Sequence, residues 1–215
     1  ILKRLQWEST TKAWVSDNQF GFVPGRSCDD ALVNIVNTIE SGFNNGKFVI
    51  VVFLDIAGAF DACWHTSILQ SLIEKECHPT YIKLIASYLK QRTNKLVINN
   101  SSAVKHLSRS CPQGGGFSPF LWDTDYDDTL EIPNLQNNPE IIAELDPSVE
   151  SDSDTQAFAD DSQIIVVSDS LFEGQKITNH IIGKLSKHAI EKKNVHITHP
   201  KPLQQYSQRD RFLLH

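Results

Sequence analysis

Phe48-Val49-Ile50-Val51-Val52-Phe53-Leu54 is an unbroken run of seven apolar residues, four of them β-branched. A run of that length and composition fits a strand covered on both faces. The chain must therefore supply packed elements on two sides of it. The run ends at Asp55, so a carboxylate stands where a buried strand opens into a loop. That is a common place for catalysis, and burial makes an unpaired acid expensive.

The flanking sequence supplies candidates for the cover. Ser27 is placed to cap a helix whose first turn holds Asp29 and Asp30, with Ala31, Leu32, Ile35, Val36 and Ile39 at helical spacing. Gly42 and Asn44-Asn45-Gly46 close it. Downstream, Trp64, Ile68, Leu69, Leu72 and Ile73 share one helical face, and Asp61 is placed to cap that helix. Pro79 starts another helix, with Tyr81, Ile82, Ile85 and Leu89 as its stripe. Leu96–Ile98 and Ala103–Leu107, joined by Asn99-Asn100-Ser101-Ser102, predict a β-hairpin. Ser118-Pro119 is a favourable helix start after the irregular Cys111–Gly116. Strands are predicted over Thr155–Phe158 and Gln163–Val167, with Ala159-Asp160-Asp161-Ser162 between them. A last helix is predicted over about Leu171–Glu191, with Ile177, Ile181, Ile182 and Leu185 inward.

Length and 40% hydrophobic content allow one real core, in one or two lobes. No apolar run approaches the roughly eighteen residues of a membrane helix, so no membrane partner is expected. The chain begins Ile1-Leu2-Lys3-Arg4 and contains no Met, which reads as an excerpt from a longer polypeptide. Cys28, Cys63, Cys77 and Cys111 lack C-x2-C spacing and are expected to be reduced thiols. The formal net charge of −6 argues against a generic nucleic-acid binder, but the imbalance is local. Between Arg109 and Lys176 lie fifteen of the 26 acids and no Lys or Arg, leaving 20 basic against 11 acidic residues elsewhere. A catalytic metal site needs clustered carboxylates, and its flanks can still hold a polyanion. A solvated acidic loop over Glu140–Asp154 accounts for most of that stretch.

The chemistry rests on three acids. An Asp-Asp pair in a turn is most often turn chemistry. Here Phe158-Ala159 precede the pair and Ile164-Ile165-Val166-Val167 follow it, which puts it on a core hairpin. Nucleotidyl transfer with two Mg2+ ions about 4 Å apart needs carboxylates from separate elements. Asp55 with Asp160 and Asp161 is such a set.

At this point the sequence resembles a known family. Asn18-Gln19-Phe20-Gly21-Phe22-Val23-Pro24-Gly25-Arg26-Ser27 is similar to the fingers motif of LINE-type (non-LTR) retrotransposon reverse transcriptases. Phe53-Leu54-Asp55-Ile56-Ala57-Gly58-Ala59-Phe60-Asp61 resembles their first palm motif. Cys111-Pro112-Gln113-Gly114-Gly115-Gly116-Phe117-Ser118-Pro119 resembles their Gln-Gly-x-x-x-Ser-Pro motif, and Phe158-Ala159-Asp160-Asp161 their Tyr/Phe-Ala-Asp-Asp box. Leu121-Trp122 after Ser-Pro points to the jockey-like or related animal elements.

The resemblance implies an α+β fold: a right-hand polymerase fingers–palm core with an antiparallel palm sheet, packed helices and no thumb. Residues 1–47 would be partial fingers with N-terminal helices. Residues 48–200 would be palm, with inserted helices and an acidic linker near 131–154, and 201–215 a degenerate tail. Asp55, Asp160 and Asp161 would hold two Mg2+ (Mn2+ as the alternative) for RNA-directed DNA synthesis from deoxynucleoside triphosphates. Phe60 would be the steric gate against a ribose 2′-hydroxyl; on spacing alone it reads as a core aromatic. Gln113 and Gly114 would line the nucleotide and template pocket, where glycine permits close backbone approach. Arg26 is a template contact or a structural arginine. Lys201 is the candidate for the lysine of a motif downstream of the Asp-Asp box, and His65 reads as structural. RNA template, DNA primer and an element-encoded endonuclease domain would be the partners. A nuclear and cytoplasmic ribonucleoprotein is the expected setting.

Several positions depart from the family pattern. Val23 stands where Arg is common, and Gly116 and Phe117 replace an aliphatic pair. Asp123-Thr124-Asp125-Tyr126-Asp127-Asp128 falls where relatives carry apolar helix positions, and burying those acids would cost several kcal/mol unless they turn outward. The second reading is accordingly a decayed copy with at most residual nucleic-acid binding.

Overall fold

A computed structural model of the chain describes residues 1–112 and 114–192 in full, with the backbone of 197–198 and 204–206. Its elements run α1 (Leu2–Thr11), α2 (Cys28–Asn44), β1 (Phe48–Ile56), α3 (Ala59–Ala62), α4 (His65–Glu74), α5 (Pro79–Leu89), β2 (Thr93–Ile98) and β3 (Ser101–His106). Then follow α6 (Ser118–Glu131), a 3-10 turn at Leu135–Asn137, α7 (Pro139–Ile142), β4 (Ser151–Phe158), β5 (Asp161–Ser168), α8 (Leu171–Glu191), β6 (Ile197–Thr198) and β7 (Gln204–Tyr206). The fold is α+β with antiparallel sheets.

The apolar run lies inside the main sheet, whose order is β4-β5-β1-β6 with β7 also paired to β1. The register of β1 on β5 runs from Phe48 opposite Ser168 to Leu54 opposite Ser162. Alternation then sends Ile50, Val52 and Leu54 to one face, where Ile164 and Val166 of β5 join Ile177, Ile181 and Leu185 of α8. Val49, Val51 and Ile165 face the other way, under Ile35, Ile39 and Phe43 of α2. Both faces are thus covered over most of the strand, and Phe53 and Asp55 emerge exposed where α2 no longer lies over them.

Ser27 caps α2 in a reciprocal box with Asp30. Leu32 and Val36 do not join the stripe and stay exposed, because Ala31, Ile35 and Ile39 complete the contact with the sheet. Asp61 does not cap α4: it lies within α3, and α4 starts after Trp64 without a side-chain cap. The β2–β3 hairpin turns on two residues rather than four. Asn99 accepts a left-handed backbone (φ 52°), so Ser101 and Ser102 enter the ladder. β4 begins four residues before its apolar pattern, since Asp152 and Asp154 point outward while Ser153 and Thr155 are buried. Part of the expected acidic linker is therefore strand.

A second core joins α1, α4, α5 and α6 around Leu5, Ile68, Leu72, Ile85, Leu89, Leu121 and Trp122. Helix α6 is enclosed on nearly every side, with Asp123 and Asp125 3% exposed and Asp127 8%. These three acids do not turn outward, whereas Asp128 keeps 44% of its side chain exposed and pairs with Lys192. Asp125 accepts from Ser67 (2.6 Å) and Ser71 (3.1 Å) of α4, and Asp127 pairs with Lys75 (2.5 Å). Asp123 keeps a buried oxygen without a hydrogen bond.

Candidate active site

The Asp-Asp pair sits where the residue pattern put it, at the tip of the β4–β5 hairpin. Phe158 pairs with Asp161, leaving Ala159 and Asp160 as a two-residue turn with Ala159 left-handed at φ 62°. A positive φ at the first turn position matches the strand twist, but it costs a non-glycine residue about 1 kcal/mol. The surroundings hold it there. Gln19, 1% exposed, accepts from the Ala159 N–H (3.0 Å) and donates to the Ala159 carbonyl (3.2 Å). Trp122 Nε1 of α6 donates to the same carbonyl (3.2 Å).

The loop before α2 is laid along β4 by backbone bonds on either side of Gln19. Ala157 N–H donates to Asn18 (2.8 Å), and Phe20 N–H donates to Ala157 (2.8 Å). The approach is so close that a Cβ on Gly21 would lie 2.1 Å from Ala159 N. Arg26 braces the same loop, donating to the carbonyls of Ser16 (2.8 Å) and Gln19 (2.6 Å) and pairing with Asp17.

Asp55 arrives from β1. Continuing the register one step past Leu54–Ser162 sets it across from Asp161, beside the turn. Burial pushes the Asp160 carboxyl above its usual range, and the charges of Asp161 and Asp55 push it further. Three acids from two elements thus repel one another at one end of the sheet, which a hard divalent cation would relieve. Among the described residues no group of three His, Cys, Asp or Glu side chains stands at metal-ligand spacing.

Phe60 follows in α3, half-buried between the rings of Phe22 (6.1 Å, edge-on) and Trp122 (5.8 Å). Trp122 stacks on Tyr126 (5.1 Å), whose hydroxyl meets Ser162 Oγ (2.7 Å). Gly114 has φ 78° with open space where a Cβ would point. Gln113 and Lys201 lie outside the described residues. His65 reaches the Ser110 carbonyl (3.1 Å), tying α4 to the segment after β3. The four thiols are free; the neighbouring Cys111, then burial and the charge of Asp125, push the Cys63 thiol well up.

A model of the reverse transcriptase (RNA-dependent DNA polymerase) family matches residues 1–201. The chain belongs to this family. It is 30% identical over 135 residues to a probable RNA-directed DNA polymerase from transposon BS of Drosophila melanogaster, a match that covers 62% of this chain and 15% of the relative. It is 29% identical over 174 residues to the RNA-directed DNA polymerase from mobile element jockey of the same fly, covering 80% and 18%. The chain therefore spans less than a fifth of these curated relatives. The fold is similar to apo telomerase from Candida tropicalis truncated from the C-terminal domain (TM-score 0.62, 11% identity), covering 95% of this chain and 39% of that one.

Two positions that hold the family's acidic turn were not recognised as such from the sequence. Gln19 was visible only as part of a motif, and its amide reads Ala159 across 140 residues. Trp122 was only a family flavour. A buried amide and a buried indole each need a partner, which is the signal that could have flagged them.

Proposed function

We propose that the chain is the fingers–palm part of a non-LTR retrotransposon reverse transcriptase, extending a DNA primer on an RNA template. Residues 1–47 are read as fingers and 48–200 as palm. The observation that carries this reading is the convergence of Asp55 and Asp161 on Asp160 at the end of a core hairpin within a reverse transcriptase family match. Asp55 and Asp160 would hold Mg2+ or Mn2+, with Asp161 the third acid. Mg2+ binds through one or two carboxylates and takes its other ligands from water and phosphate, so a pair of acids suffices. When bound, the two ions lower the pKa of the primer 3′-hydroxyl and stabilise charge on phosphorus and pyrophosphate. Gln19 and Trp122 fix the carbonyl and N–H flanking Asp160, so its carboxylate is preorganised.

The test is primer extension on poly(rA)·oligo(dT) by the full-length protein. Asp160→Asn is expected to lower incorporation by more than about a hundredfold, since metal ligands matter more than the outer partners that tune them. Equal incorporation by both proteins sinks the assignment. Phe60 presents a half-buried ring beside the acids, and as the steric gate it would exclude a 2′-hydroxyl. Phe60→Val is expected to raise ribonucleotide over deoxyribonucleotide incorporation by roughly tenfold or more, read by competition on the same template.

A second reading is favoured by one observation, the unpartnered buried oxygen of Asp123 in α6. A decayed copy accumulates such groups, because nothing removes a substitution that weakens an unused fold. Absence of incorporation by the parent and the Asp160→Asn protein alike selects it.

A further inference from the structure

The β2–β3 hairpin is exposed along its whole length, with Leu96, Val97, Ile98 and Val104 each 58–62% exposed. A lone two-stranded hairpin is marginal in water, and four bare aliphatic side chains make it worse. From Cys77 to Arg109 the chain carries six Lys or Arg and no Asp or Glu, in a molecule of net charge −6. The cover should therefore be anionic.

The register says how the charges are arranged. Asn94 pairs with Lys105 and Leu96 with Ala103 on one face; Lys95 pairs with Val104 and Val97 with Ser102 on the other. Each face thus has one lysine toward the root and two large aliphatics: Leu96 and Ile98 nearer the tip on one, and on the other Val104 level with Lys95 and Val97 beyond it. Lys90, Arg92 and Arg109 add charge at the root. That root is tied to the site, since Cys111 N–H donates to the Phe60 carbonyl (2.7 Å) and Ser110 N–H to Cys63 (2.8 Å). Six residues at about 3.4 Å each carry the tip roughly 20 Å out, about the width of a duplex.

The geometry points to this hairpin as a ribbon that enters a groove of the RNA–DNA duplex leaving the acids, one lysine on each face meeting one phosphate wall. Its aliphatics lie against sugars and base edges, which an A-like duplex offers in a wide, shallow minor groove. A two-stranded ribbon is an established groove reader. An anionic membrane would have to take the polar Asn99-Asn100-Ser101-Ser102 tip into hydrocarbon first, which disfavours it. The inference rests on the proposed RNA-templated synthesis.

The experiment is fluorescence anisotropy with a labelled 20-base-pair RNA–DNA hybrid, titrated with this chain over a salt series in EDTA. Catalysis plays no part in it, so a protein that fails primer extension still answers. Lys95→Ser with Lys105→Ser is expected to make the slope of log K against log salt shallower by about 2, since each phosphate contact contributes about 0.9. Leu96→Ser with Ile98→Ser is expected to weaken binding several-fold at an unchanged slope. Far-UV circular dichroism checks that both variants fold. An unchanged slope in the lysine variant overturns the inference. So does a loss confined to anionic vesicles, or a loss of self-association in the aliphatic variant with hybrid binding intact.

Discussion

Gly21→Ala is expected to destabilise the chain by about 3 kcal/mol and to lower primer extension by roughly a hundredfold. The added Cβ would stand 2.1 Å from Ala159 N, 2.7 Å from its Cα and 2.9 Å from its Cβ. No real contact is so short, and the first two obstacles are backbone. Nothing flexible is available to move aside, because the Gln19 amide clamps Ala159 from the same loop. Either the loop lifts from β4, breaking the bonds of Asn18 and Phe20 to Ala157, or the turn shifts by about 1 Å. Both outcomes displace Asp160, whose neighbour Ala159 is already held at a costly positive φ. Urea unfolding gives the stability, and extension on poly(rA) gives the activity. A variant with parental extension and stability would show that the loop does not hold the turn. Gln19→Leu separates the two contributions: it keeps the volume and removes the clamp, so activity should fall more than stability.

This dependence explains which features could be read from the residues and which could not. The buried strand, its capped helix and the acidic hairpin are set by local patterns: seven apolar residues, Ser27 with Asp30, and acids flanked by alternating aliphatics. Their assignment to the reverse transcriptase family came from motif resemblance, and the family match agrees with it. What stayed hidden depends on contacts between distant segments. Gln19 and Ala159 are 140 residues apart, and no period in the sequence links them. The hairpin turn was placed too wide because Asn99 tolerates a left-handed backbone, a property of one residue that no strand pattern records. The acids of α6 follow no local pattern that says whether they turn outward or are buried. Their burial follows from where the helix sits, between α4 and β4, and that position is tertiary.

Those acids give the second large effect. Asp123 is 3% exposed, and burial together with the charge of Asp127 raises its carboxyl to about 8. Its unfolded value is near 3.8, so between pH 4 and 8 the folded chain binds the extra proton. The stability this proton contributes is full below pH 3.8 and is lost as pH rises through about 8, at about 1.4 kcal/mol per unit. Asp127 is paired with Lys75 (2.5 Å) and accepts from the Ser16 N–H (2.6 Å), while Asp123 has neither partner. Asp123→Asn keeps the shape and never ionises. It should therefore gain on the parent by about 4 kcal/mol between pH 5 and pH 8, with the difference closing only as pH falls to about 3.8. His188 works with the opposite sign, because burial lowers it, so stability tied to its neutral form rises with pH. It is present in both proteins, as are Asp125, Asp154 and Asp160, which are raised as well, so the difference between the two curves isolates Asp123. Urea midpoints at pH 5, 6, 7 and 8 are the measurement. Parallel curves would mean that water or a counter-charge reaches the carboxyl, and the fold would then carry no penalty at this position. A diverging pair would show that this one buried acid sets several kcal/mol of the chain's pH-dependent stability.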